Sequence, residues 1–121
     1  LGRALGLVLR RMHDPVEIGE ESARIHWGHY ARHGGVSGIV RQVRALDAED
    51  TRAVAGRLAS LEVPARVLWG DADPFLGMAL ARRLARDLGA PVETIPGAGH
   101  FTPEDRPGPI AAALTDLAAG L

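Results

Sequence analysis

Three ionisable side chains follow two short apolar runs in the second half of the chain. Asp71 and Asp73 lie in "GDADPF", directly after "ARVLWG", and His100 lies in "PGAGHF", directly after "PVETI". An ionised carboxylate that accepts a hydrogen bond from one imidazole nitrogen fixes the tautomer of the ring and raises the basicity of the other nitrogen. That second nitrogen can then take a proton from a nucleophile or a water. The residue types therefore predict an acid–base pair in which Asp73 or Asp71 orients His100.

The elements around these residues must bring them together. "ARVLWG" and "PVETIPG" predict two short strands, because each is an apolar, β-prone run bounded by glycine or proline. Between them, "MALARRLARDLG" predicts a helix that ends at Gly89, with leucines one turn apart at Leu80, Leu84 and Leu88. A final helix carries Ile110, Leu114 and Leu117. A helix between two strands implies parallel pairing, so both loops should open at one edge of the sheet.

The first half of the chain predicts helices. Apolar residues recur at helical spacing from the start and again from about Glu17 to His33, before "HGGVSG" interrupts the pattern. A third helix is expected in "IVRQVRALD". Asp47 should cap a fourth helix that carries Val54, Leu58 and Leu61 on one face.

The composition restricts the class of protein. The 121 residues are 46% hydrophobic and 24% charged, with a net charge of -1, as in a globular domain and unlike a disordered or membrane-spanning chain. The balanced charge gives no general attraction to nucleic acid or to anionic lipid. There is no cysteine, which excludes disulfides and a thiolate nucleophile in this sequence and is compatible with a cytoplasmic location, the one we expect.

Two motifs carry a resemblance to a known family. "VPARVLWGDADPF" followed by "PGAGHFTPEDRP" resembles the C-terminal part of α/β-hydrolase-fold proteins, in which one strand ends in Gly-x-x-Asp and the next in Gly-x-x-His. The resemblance implies that Asp73 is the acid and His100 the base of a catalytic triad, with Asp71 as the competitor of Asp73. It also implies that 47–121 is the C-terminal part of an α/β core with an incomplete sheet, and that 1–46 is a helical, cap-like segment.

The nucleophile of that superfamily is missing from the sequence. It occupies a Gly-x-Ser-x-Gly turn between a strand and a helix. Ser37 in "GGVSGI" is the nearest candidate, but Ile39 stands where the second glycine belongs, and a loop or capping role is favoured. The chain also begins with Leu rather than Met. We therefore expect part of a larger hydrolase, inactive alone, whose partners are a small apolar substrate and the missing N-terminal part; no metal or cofactor is expected.

Other interpretations remain open. A protein derived from this fold could keep the pocket and bind a small ligand without chemistry. A nucleotide-binding half-domain is disfavoured, because "GDADPF" is acidic and lacks the glycines of a phosphate loop. His26, His29 and His33 lie near one helix face, but without a convergent carboxylate a metal site is disfavoured. Trp69 could belong to the core or to the wall of the active site.

Overall fold

The computed structural model describes residues 2–32 and 34–120, with side chains from residue 6 onward, so the predictions that involve Leu1, Leu5 and His33 lie partly outside the described residues. Its architecture is mixed α/β, mostly helical with a small parallel sheet. The elements in chain order are α1 (Gly2–Arg11), α2 (Val16–Arg32), α3 (Gly35–Ala45), α4 (Ala48–Ala55), a single 3-10 turn (Leu58–Ser60), β1 (Val67–Gly70), α5 (Met78–Leu88), β2 (Val92–Ile95), α6 (Thr102–Asp105) and α7 (Pro107–Ala119).

The sheet consists of β1 and β2 in parallel, as the order strand, helix, strand predicts. Their register pairs Val67 with Val92 and Gly70 with Ile95. Backbone bonds extend the pairing past the strand ends, since the Asp71 N–H donates to Ile95 and the Ala72 N–H donates to Ala98. Both following loops therefore leave the sheet at the same edge.

Helix α5 packs on β1 through small side chains. Ala81 and Ala85 form a buried cluster with Val67, and Trp69, Met78, Leu84 and Leu88 pack around it. Leu80, one turn before Leu84, is 44% exposed. The helix ends at Gly89 in the left-handed conformation (φ 61°), and the N–H groups of Gly89 and Ala90 donate to the carbonyls of Arg86 and Ala85. The predicted C-terminal cap is confirmed.

The helices of the first half start and stop differently from the prediction in two places. Helix α3 begins at Gly35 rather than near Ile39, directly after Gly34, which adopts the left-handed conformation (φ 62°). Asp47 caps α4 as predicted, accepting the Glu49 N–H, but the helix ends at Ala55, before Gly56, and a 3-10 turn follows. Val54 and Leu61 are consequently half exposed and do not form one buried face with Leu58.

Several large apolar side chains are exposed on the helices of the first half. Val43 and Leu46, at the end of α3, are 62% and 79% exposed, and α3 and α4 contain no buried residue. Ile95 is the largest side chain that is fully buried among the described residues. None of the helices described is long and apolar enough to cross a membrane.

We predict that Gly70→Ala destabilises the chain, because β1 ends against the loop that carries His100. A Cβ on Gly70 would lie 2.6 Å from the Gly99 carbonyl oxygen and closer still to that of Ala98, and both are backbone atoms. Overpacking of this kind costs roughly 1–3 kcal/mol, measured as a loss of unfolding free energy in urea. Gly108→Ala is the matched control: the added Cβ meets open space within α7, so a small gain in stability is expected. Equal effects of the two substitutions would contradict the packing argument.

Candidate active site

The side chain of Asp73 is fixed by the turn that follows β1. One carboxylate oxygen, Oδ1, accepts the N–H groups of Phe75 and Leu76 at 2.8 and 3.0 Å. The other oxygen, Oδ2, lies 2.9 Å from Nδ1 of His100. The Asp-Pro sequence favours such a turn, since an aspartate side chain readily accepts backbone N–H groups two and three residues further on. The two backbone bonds therefore aim the remaining oxygen at the imidazole.

Asp71 occupies a different position. Its Oδ1 accepts the Gly97 N–H at 2.7 Å, and the residue is exposed. This bond ties the loop after β1 to the loop after β2, with Gly97 in the left-handed conformation (φ 63°). Of the two aspartates that the sequence left in competition, the structure brings Asp73 to His100 and gives Asp71 to the backbone of the neighbouring loop.

Hydrogen bonding changes the acidity of Asp73. Burial by itself raises the pKa of the Asp73 carboxyl, but the bonds from the Leu76 N–H, from His100 and from the Phe75 N–H outweigh it, and the positive charge that His100 can carry acts in the same direction. The pKa of Asp73 is therefore lowered from its ordinary value of 3.8. At neutral pH the carboxyl is ionised and can only accept, so Nδ1 of His100 donates the bond between them.

His100 stands at the mouth of a cavity. Its side chain is 30% exposed, while that of Asp73 is only 6% exposed. The rings of Phe75 and Phe101 meet the imidazole edge-on, with centroids 5.6 and 5.8 Å away. With Nδ1 directed to Asp73, Nε2 is the nitrogen that can exchange a proton. The arrangement suits a general base that is held by a buried carboxylate and reaches a partly open space.

The cavity beside the pair has a volume of about 200 Å³ and a largely apolar wall. Besides Asp73 and His100, its lining comprises Leu68, Trp69, Leu76, Thr102 and Pro103. Trp69 combines the two roles that the sequence could not separate, since it packs against the α5 cluster and also lines the cavity. Its Nε1–H donates to the Leu76 carbonyl at 2.8 Å, which braces the turn that holds Asp73.

A second pair of carboxylate and imidazole, which the sequence analysis missed, lies behind His100. Nδ1 of His13 is 2.6 Å from Oδ1 of Asp105, and both side chains are completely buried. Oδ2 of Asp105 accepts the N–H groups of Gly99 and Asp14 at 2.6 and 3.0 Å. The two residues are 92 positions apart, and no spacing rule connects them. A weak signal was the Asp in "GHFTPED", five residues after His100.

Glu104 extends this group towards α2. It accepts the Ser22 hydroxyl at 2.7 Å and lies 3.3 Å from Nε2 of His26 and 3.6 Å from Nε2 of His13. Burial raises the pKa of Glu104, but the bonds from Ser22 and His26, together with the charges that His13 and His26 can carry, lower it below its ordinary 4.5. The carboxylate thus links α2 to α6, the short helix that directly follows the loop of His100.

Comparison with known proteins gives one informative match. The chain is 32% identical to Epoxide hydrolase A of Mycobacterium tuberculosis (strain ATCC 25618 / H37Rv) over 111 residues, which cover 88% of this chain and 34% of that protein. The chain thus spans about a third of the length of this curated relative. No protein-family model matches the chain, and no solved structure matches it significantly. The similarity is consistent with the hydrolase resemblance of the two motifs.

The remaining candidate residues lie apart from the Asp73–His100 pair. Ser37 lies in the first turn of α3, is exposed, and donates its hydroxyl to the Gly34 carbonyl at 2.8 Å. His26 is directed to Glu104, and its ring stacks on that of Tyr30. Among the described residues no group of three or more His, Cys, Asp or Glu side chains is arranged to hold a metal ion; His33 lies outside them.

The lowered pKa of Asp73 predicts an acid-dependent contribution to stability. A group whose pKa is depressed by folding stabilises the folded state above its unfolded pKa, and this contribution is lost as the pH falls through the folded pKa. Relative to Asp73→Asn, the unsubstituted chain should therefore be more stable from pH 7 down to about the ordinary value of 3.8, and should lose the advantage below it. Urea unfolding at a series of pH values measures the difference. A difference that stays constant down to pH 2 would contradict it.

Proposed function

We propose that this chain supplies the acid and the base of a hydrolase, with Asp73 as the acid and His100 as the base. The observation that carries the proposal is the 2.9 Å bond between the two side chains, one on each loop at the same edge of a parallel sheet, beside an apolar cavity. Catalytic and ligand-binding residues of parallel α/β sheets commonly lie at this edge, on the loops after the carboxyl ends of the strands. The similarity to part of an epoxide hydrolase supports the same class of reaction.

In the proposed mechanism His100 is the general base in the hydrolysis of a covalent intermediate. With an epoxide, a carboxylate nucleophile first attacks one ring carbon; the new C–O bond forms an ester while the ring C–O bond breaks, and the released oxygen, which stays on the substrate, takes a proton from solvent. A water then attacks the ester carbonyl while Nε2 of His100 takes its proton. When the tetrahedral species breaks down, the imidazolium gives that proton to the departing alcohol oxygen, so the diol is released and the carboxylate is regenerated. Asp73 holds the tautomer in which Nε2 is free to accept and stabilises the imidazolium that forms. The scheme uses no metal and no organic cofactor.

The nucleophile is proposed to come from another segment of polypeptide. The sequence contains three serines, and each hydroxyl is directed elsewhere: that of Ser22 to Glu104, that of Ser37 to Gly34, and that of Ser60 to Arg57. The Thr102 hydroxyl, which lies at the cavity, donates to the Gly99 carbonyl. There is no cysteine, and among the described residues the carboxylate that lines the cavity is that of Asp73, which is bonded to His100. The chain taken alone should accordingly be inactive.

The proposed substrate is a small, mainly apolar molecule with one electrophilic carbon. Leu68, Trp69, Leu76 and Pro103 offer apolar contact and no charge of their own. An epoxide is the first substrate to try, because the curated relative is named for that activity; esters and alkyl halides are the alternatives.

A chimaera tests the proposal. We would replace the matched third of Epoxide hydrolase A with this chain and measure hydrolysis of a small aliphatic epoxide. The chimaera should turn over the epoxide, whereas the chain alone should not. His100→Ala and Asp73→Asn should each lower kcat by roughly 10³-fold or more, since removal of a triad member leaves only the binding and oxyanion contributions.

Asp71→Asn is the matched control in the same chimaera. It removes a carboxylate two positions from Asp73 that bonds to Gly97 rather than to His100, so kcat should change little. Comparable losses in the Asp71 and Asp73 variants would contradict the assignment of the acid. Turnover by the isolated chain that disappears with His100→Ala would contradict the need for an external nucleophile.

A second candidate function is the binding of a small apolar ligand without chemistry. It is favoured by a cavity of about 270 Å³ among the helices of the first half and Phe101, lined by Leu9, His26, Tyr30, Ile39, Gln42 and Phe101. Under this alternative the isolated chain binds an apolar ligand without consuming it, and Asp73→Asn leaves the affinity unchanged. Calorimetric titration of the chain and of that variant distinguishes it from the hydrolase.

A further inference from the structure

We propose that the buried pair of His13 and Asp105 positions His100, so that the carboxylate behind the loop determines how the imidazole meets Asp73. The inference deepens the proposed function and rests on it for its catalytic meaning. Both side chains act on His100 through the backbone on either side of it. They are positioning residues of the proposed acid–base pair.

The Asp105 carboxylate connects the turn between α1 and α2 to the loop that carries His100, two regions that are far apart in the sequence. Its Oδ1 contacts Nδ1 of His13, and its Oδ2 accepts the N–H groups of Asp14 and of Gly99. Asp105 itself closes the short helix α6 that follows the histidine loop. The turn between α1 and α2, the residue before His100, and the helix after it are thus held by one side chain. A hydrogen bond to a charged acceptor is about twice as strong as a neutral one, and a buried acceptor fixes its donors in direction.

The residue after His100 is held by the same turn. The Phe101 N–H donates to the Met12 carbonyl at 3.1 Å, and the Phe101 ring stacks on the imidazole of His13 with centroids 5.0 Å apart. The N–H groups of both neighbours of His100 are therefore held. That of Gly99 donates to Asp105, which also bonds to His13 and Asp14, and that of Phe101 donates to the Met12 carbonyl. With both flanking peptides held, the direction of the His100 side chain depends on the placement of His13 and Asp105.

The approach of the backbone at Gly99 is too close for a side chain. A Cβ on Gly99 would lie 2.6 Å from the Met12 carbonyl oxygen and 3.0 Å from Oδ2 of Asp105. Glycine at this position thus follows from the contact with the α1–α2 turn rather than from the backbone conformation, since Gly99 is not among the glycines with positive φ. The tight contact is what transmits the position of the buried pair to His100.

The second nitrogen of His13 faces a further carboxylate. Nε2 is buried without a hydrogen-bond partner among the described residues and lies 3.6 Å from Oε2 of Glu104. Glu104 in turn bonds to Ser22 and His26 of α2. The imidazole of His13 thus lies between two carboxylates: that of Asp105, which is bonded to Gly99, and that of Glu104, which is bonded to α2. Burying polar groups is unfavourable unless they are paired, and the other nitrogen of this ring, Nδ1, is paired with Asp105 at 2.6 Å, which fixes the orientation of the imidazole.

The experiment reads the ring of His100 directly, by NMR of the full chain labelled with ¹⁵N in its histidine rings, with signals assigned by His100→Gln. In the unsubstituted chain the tautomer with hydrogen on Nδ1 should predominate, as the bond to Asp73 requires. In Asp105→Asn and in His13→Phe both tautomers should become populated. The exchange rate of the Gly99 amide should rise roughly ten- to a hundredfold in Asp105→Asn, the ratio that loss of a bond to a charged acceptor typically produces.

His13→Asn is the conservative variant, because an asparagine amide can place a donor where Nδ1 of histidine stood; it should retain the tautomer of His100 better than His13→Phe. Asp71→Asn is the matched control, since that carboxylate also accepts an N–H from the loop after β2 but does so at Gly97. It should leave the His100 ring unchanged. If Asp105→Asn fails to fold, the tautomer of His100 is compared in His13→Asn and His13→Phe. The proposal requires both tautomers to be populated in His13→Phe and the tautomer with hydrogen on Nδ1 to be better retained in His13→Asn.

Two results would overturn the proposal. One is an unchanged tautomer of His100 in folded Asp105→Asn or in His13→Phe, which would reduce the pair to a purely structural contact. The other is an equal change in Asp71→Asn. Because the readout is the imidazole and not turnover, an inactive chimaera would count against the hydrolase proposal alone, and an active chimaera with an unchanged ring would count against the positioning pair alone.

Discussion

The parallel pairing of β1 with β2 is the constraint on which the site depends. The paired segments are only four residues long, so the ladder itself contributes few hydrogen bonds. The pairing matters because it is parallel: the carboxyl ends of both strands lie at one edge of the sheet, so the two following loops are neighbours. The Ala72 N–H, which donates to the Ala98 carbonyl, continues the contact between these loops. Gly70 permits this continuation, since the His100 loop passes directly over its Cα. A side chain there would separate the two loops that the acid–base pair must bridge.

Local patterns were enough to predict the elements that carry the site. The apolar runs ending in glycine predicted both strands, and the leucine spacing with Gly89 predicted α5 and its cap, because strand formation and helix capping depend mainly on nearby residues. Once parallel pairing is inferred, the meeting of Asp73 or Asp71 with His100 follows from topology. The choice between the two aspartates did not follow, since it depends on side-chain direction: Phe75 and Leu76 turn Asp73 towards His100, and Gly97 takes Asp71 away.

The contacts that sequence reasoning missed are long-range and polar. His13 and Asp105 have no periodicity, no motif and no shared element, and they meet only because the α1–α2 turn reaches the loop after β2. The early end of α4 was missed for a related reason. Val54, Leu58 and Leu61 have helical spacing, yet no described partner surface covers Val54 or Leu61, and spacing alone does not continue a helix past Gly56.

Hydrogen bonds of ionisable groups join the helices α1 and α2 to the loop of His100 and the residues after it. The buried apolar cluster gathers around β1 and α5, whereas α3 and α4 bury no residue. Across the junction lie instead Asp105 with His13, Glu104 with Ser22 and His26, and Arg106, whose guanidinium donates to the Asp14 carbonyl at 3.0 Å. Apolar packing tolerates small sliding movements, but hydrogen bonds weaken steeply with angle and distance. A junction built from them can hold a loop in one orientation with little buried apolar surface, as a directed imidazole requires.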